Sequence, residues 1–105
     1  MIDISTILRA ARAKIEREEC WTCGKYAKDA RGDKIGTKNP EAVCWCALGA
    51  LMSQGVTHDR AAEILDPHVP PDYPGVLGYN DYVATHTDIL ALFTRAIEAA
   101  EAQGK

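Results

Sequence analysis

Four cysteines in two close pairs, Cys20-x-x-Cys23 and Cys44-x-Cys46, are the residues of this 105-residue chain best suited to chemistry. Four thiolates can close a tetrahedral zinc site, and the first spacing suits a zinc knuckle. The second spacing does not. Asn39, Pro40 and Glu41 carry the signals of a helix start: a capping side chain, a proline for the first helical position and an acid for the positive end of the dipole. In a helix begun at Pro40, residues 44 and 46 lie about 200° apart around the axis, at 3.6 residues per turn. They could not then bind one ion. The favoured reading is four cysteines packed as small hydrophobes. Zinc on Cys20, Cys23, Cys44 and Cys46 is the lesser alternative. A redox centre at Cys20-Trp21-Thr22-Cys23 needs a helix N-terminus to lower a thiol pKa, and this motif follows a helix instead.

Cys46, His86 and Asn80 or Asp81 supply the residue types of a nucleophile, a base and an orienting group. Against that, the pattern puts Cys46 in mid-helix on a buried face and His86 in an exposed first turn. A non-catalytic binding surface is the other candidate, drawing on Trp21, Tyr79, Asn80, Asp81, Tyr82 and His86. Aromatic residues in irregular segments can anchor a partner; they can equally plug the end of a small helical core. Asn80 and Asp81 could satisfy loop amides before the last helix.

The elements that must position these residues are mostly helical. Ile4, Ile7, Leu8, Ala11 and Ile15 recur at helical spacing, with Asp3 placed to cap and an end expected near Glu18 or Glu19. Tyr26 to Ile35 reads as a small hairpin turning near Gly32. Arg31-Gly32-Asp33 also spells an adhesion motif, which the turn chemistry of glycine explains. The second helix is expected from Pro40 to Gly55, with Gly49 inside it admitting a backbone or a bulky ring. Thr57 caps a short third helix that Asp66-Pro67 ends. Residues 66–84, with four prolines, read as one irregular connection. Thr85 and Asp88 resemble a capping box opening the fourth helix, and the chain is expected to fray from Ala102. The expected fold is mainly α: a single compact four-helix domain over 1–105, with a hairpin or extended arm between the first two helices.

Hydrophobic residues make up 47% and charged residues 26%, a globular balance that disfavours disorder. No run approaches the ~18 apolar residues of a membrane helix, and no charged leader precedes an apolar segment. The expectation is a protein of a reducing cytoplasm without stable disulfides. The net charge of −3 divides unevenly, with nine Lys/Arg against six Asp/Glu in residues 1–38 and three against nine in 39–105. Complementary halves explain this better than a nucleic-acid surface, which is usually far more basic.

One combination of residues carries a resemblance. It comprises Trp21-Thr22-x-Gly24 with Ala27 and Asp29, Cys46-Ala47-Leu48-Gly49-Ala50, Asn80-Asp81, and Asp88-Ile89-Leu90 with Phe93 and Ala96-Ile97. Over about residues 7–100 the chain resembles a family of small bacterial and phage proteins classed only as a domain of unknown function. The resemblance implies no activity. It implies that Cys46, Gly49 and the Asn80-Asp81 pair matter, and that a polar residue is common in place of Cys23, which weighs against zinc. Cys46 and Gly49 read as packing, against Trp21; Asn80-Asp81, polar and in a loop, read as the functional suspects. The leading expectation is a non-catalytic accessory or interaction protein with a protein partner, which the phage members extend to action on a host protein. A small enzyme or ligand-binding module at Asn80, Asp81 and His86 is the second reading. A zinc-stabilised nucleic-acid accessory protein using residues 25–38 is the third.

Overall fold

The computed structural model describes residues 3–105. Helix α1 spans Ile4–Lys14 and buries Leu8 and Ala11. It ends earlier than the charged run to Glu19 predicts, at Ile15, whose side chain is fully buried. Asp3 holds the N-cap position without a side-chain cap bond. A 3-10 turn at Glu18–Cys20 leads into an extended segment.

Strand β1 (Ala27–Lys28) pairs antiparallel with β2 (Cys44–Trp45), with Ala27 opposite Trp45 and Lys28 opposite Cys44. Trp21 joins the other edge of Trp45 in a parallel bridge. The hairpin expected at 26–35 survives as one bridge, Lys28 to Lys34, closed around Gly32 at φ +86°. Asp29 organises that turn by accepting from the amides of Arg31 and Asp33. These bonds, with the Arg31 guanidinium, hold its carboxyl below the usual range.

Helix α2 spans Ala47–Met52, seven residues later than the signals at 39–41 place it. Those signals form a turn instead: Asn39 Oδ1 accepts from the Glu41 amide and Asn39 O from the Ala42 amide. Val43 N then donates to Lys28 O at 2.8 Å. Sheet pairing thus satisfies the backbone that a helix would have used, and Cys46 becomes the N-cap.

Helix α3 (His58–Leu65) is capped by Thr57 and followed by a 3-10 turn at Asp66–His68. Helix α4 (Val76–Tyr82) occupies ground expected to be irregular. Its start is tied by a distant group, with Asp66 Oδ1 accepting from the Val76 amide at 2.9 Å. Helix α5 (His86–Ala102) opens with the capping box of Thr85 and Asp88, both bonds formed. Thr85→Ala should therefore cost about 1 kcal/mol, read as a lower urea midpoint at unchanged slope. α5 ends at Ala102, where the sequence places the end of the helix, and the exposed residues after it turn back so that Lys105 O accepts from Ser5 N at 3.1 Å.

The structure is mainly α, with five α-helices among the described residues, four of them of seven residues or more, roughly as the four-helix expectation has it. α1 lies along α5, and α2 packs against α1, α3 and α4. Leu8, Ile15, Leu48, Leu51, Leu65, Ile89, Leu92 and Phe93 fill one continuous core. Among the described residues, no helix is long and apolar enough to cross a membrane.

Candidate functional site

Four of the singled-out side chains, Trp21, Asn80, Asp81 and His86, come together where the 20–24 segment meets α2 and α4. Asn80 stands at the centre, on the buried face of α4 and 1% exposed. Its Oδ1 accepts from Trp21 Nε1 at 2.8 Å and from the Ala47 amide at 3.1 Å. Its Nδ2 donates to Thr22 O at 3.2 Å and to Asp81 Oδ1 at 2.9 Å. An asparagine amide offers two donors and one oxygen with two lone pairs, so the group is fully used. The Cys23 thiol donates to Asn80 O, and Asp81 Oδ1 also accepts from the Gly24 amide at 3.0 Å. The pair lies on a helix, not in the expected loop, and it pins the extended segment to the helix.

Cys46 sits beside this knot at the start of α2, not in mid-helix. Its Sγ accepts from the Gly49 amide at 3.3 Å. Burial pushes its thiol up to about 11, partly offset by that amide and reinforced by Asp81. At neutral pH it is a protonated cap. Gly49 meets the backbone of Tyr26 rather than Trp21.

His86 is half-buried rather than exposed. Its Nε2 lies 2.6 Å from Ile15 O, which makes that nitrogen the protonated one, and its ring packs against Trp21 at 5.9 Å. The imidazole is thus committed to α1, and Cys46 bonds to its own helix. The two do not form a nucleophile and base pair.

The structure separates the remaining candidates. Tyr79 turns inward against Tyr73, with ring centroids 5.3 Å apart. Tyr82 turns outward and is 87% exposed. Cys23 faces α4, Cys46 lies under α2, and Cys20 and Cys44 sit together at the sheet edge. The later helix start removes the angular objection to zinc. Even so, among the described residues no three His, Cys, Asp or Glu side chains gather to hold a metal ion.

Sequence reasoning missed Leu77. It lines a shallow pocket of about 170 Å³ with Gly24, Lys25, Tyr26, Lys34 and Asp81. Leu77 and Asp81 are four residues apart and share a helical face. That signal is readable only once 76–82 is known to be helix.

A family model described as a family of unknown function (DUF6197) matches residues 1–99. No curated protein and no solved structure matches the chain.

Proposed function

The chain belongs to the DUF6197 family, and we propose that it works as a non-catalytic interaction protein whose partner-facing surface is the outer side of α4. One observation carries this reading. Leu77, Tyr82 and Val83 are three of the four large hydrophobics that the described residues leave exposed, and they fall within seven consecutive positions. Exposed apolar side chains gathered on one short helix and its C-cap, led by a protruding tyrosine, are suited to anchoring a partner protein. In this reading the partner is another protein, a host protein where a phage carries the chain, and the setting is the cytoplasm.

The other readings have less support. The enzyme reading asks for Asn80, Asp81 and His86 to act on a substrate, yet Asn80 spends every polar atom of its side chain on the fold and His86 commits its Nε2 to Ile15 O. The ligand-binding reading rests on the Asp81 pocket, about 170 Å³, below the ~300 Å³ at which small-molecule sites usually begin. For nucleic acid, the arm's cations are partly engaged within the chain: Arg31 lies near Asp29 and Asp33, and Lys25 Nζ donates to Gly32 O.

A photo-crosslinking residue placed at Tyr82 in cells that naturally carry the protein tests the proposal. It should give one discrete adduct, absent when the crosslinker replaces Glu98 on α5. The adduct should also vanish with Leu77→Lys while the circular dichroism stays unchanged. No adduct at 82, or equal adducts at 82 and 98, would overturn the proposal.

A further inference from the structure

We propose that Cys20 and Cys44 form a thiol–disulfide modification site, a reversible cross-link that a small-molecule disulfide of the glutathione type can close. The backbone supplies the geometry. Trp21 and Trp45 pair in a parallel bridge, with Thr22 N donating to Trp45 O at 3.0 Å. That bridge brings the end of the 3-10 turn, where Cys20 lies, against β2, where Cys44 lies. A disulfide needs Cα atoms ~4.4–6.8 Å apart, and the contact of this turn with β2 brings the two cysteines to neighbouring backbone. The position of the Cys44 sulfur agrees. Cys44 Sγ lies 3.2 Å from Glu19 O, the carbonyl of the peptide bond that leads into Cys20. Cys44 also lies within the field of Cys20: after burial, the Cys20 charge is the next cause raising the Cys44 pKa, while Lys28 opposes it. Both side chains are half-exposed and both are free thiols.

The other two cysteines are held apart from this pair. Cys23 donates to Asn80 O on α4, away from β2. Cys46 is buried and caps α2.

The chemistry balances as two exchanges. The Cys20 thiolate attacks one sulfur of the small disulfide and releases one small thiolate, leaving a mixed disulfide on Cys20. The Cys44 thiolate then attacks the Cys20 sulfur and releases the second small thiolate. Two protein thiols are oxidised to one disulfide, one small disulfide is reduced to two thiols, and the two protons pass to the released thiolates. The cross-link ties the turn after α1 to the strand that feeds α2, enclosing the basic arm in its loop. Nothing in this site depends on the α4 surface.

The test is incubation of the reduced full chain with oxidised glutathione, followed by a thiol count and fragmentation mass spectrometry. Expected are the loss of two of the four titratable thiols, a monomer lighter by two hydrogens, a Cys20–Cys44 cross-link, and full recovery with dithiothreitol. Cys44→Ser should stop at the mixed disulfide on Cys20. A cross-link mapped to Cys20 and Cys23, cross-linked dimers alone, or a mixed disulfide that persists on the unsubstituted chain would overturn the proposal.

Discussion

Replacing Gly49 by alanine should destabilise the fold by about 3 kcal/mol, although alanine is the better helix former by ~1 kcal/mol. The two effects oppose each other, and the geometry decides between them. A Cβ on Gly49 would stand 1.8 Å from Tyr26 O, 2.7 Å from Tyr26 C and 3.1 Å from Tyr26 Cα. All three are backbone atoms, so no side-chain rotation relieves the clash. Moving Tyr26 away would break the bond from Cys46 N to Tyr26 O at 3.2 Å. It would also drag on Ala27, which is fully buried and paired with Trp45. Domains of this size are stable by only ~5–15 kcal/mol, so the loss is a large share of the total. Urea unfolding reads it directly. Gly78 supplies the control, because it lies within α4 and a Cβ added to it would meet nothing within 4 Å. Gly78→Ala should stabilise by up to about 1 kcal/mol. A neutral or stabilising Gly49→Ala would refute the close approach.

Local signals were legible in the sequence wherever local atoms answer them. Thr57 and Thr85 cap the helices they precede, because each partner amide is three residues away on the same chain. The apolar stripe of α5 and the membership of an uncharacterised family were legible for the same reason: each is written in contiguous sequence. Three features were not. Asn39-Pro40-Glu41 makes a sound helix start, but the Tyr26–Lys28 backbone claims residues 43–46 from outside. The start of α4 is tied by Asp66, ten residues away, so no neighbour announces it among the prolines. The Leu77 surface then goes unseen, because its helical face cannot be drawn without the helix. At the candidate site, Trp21, Asn80, Asp81 and His86 do come together. The polarity that made Asn80 look functional is spent on holding two segments in place.

Asn80→Ala should be more damaging still, by about 4 kcal/mol, since each buried group left without a partner costs ~1–3 kcal/mol. Three groups lose their partner at once: Trp21 Nε1, the Ala47 amide and Thr22 O. Trp21 is half-buried, so water can reach part of that loss; Ala47 is fully buried and has no such relief. Asn80→Asp separates hydrogen bonding from size. A carboxylate of the same shape can still accept from Trp21 and Ala47. It cannot donate to Thr22 O or to Asp81 Oδ1, and it places a second negative charge beside Asp81. Burial and the neighbouring carboxylate both disfavour ionisation, so the folded-state pKa of the new acid is raised above its unfolded value of ~3.9. The unfolded chain then holds fewer protons than the folded one between those two values. The penalty of the substitution therefore grows as pH rises through that window and shrinks as pH falls toward ~4. Urea midpoints of Asn80→Asp and the unsubstituted chain should lie far apart at neutral pH and draw together in mild acid. A gap independent of pH would mean that the Asn80 amide is not enclosed with Asp81 as described. A small loss in Asn80→Ala would mean that the knot is not what joins the extended segment to α2 and α4.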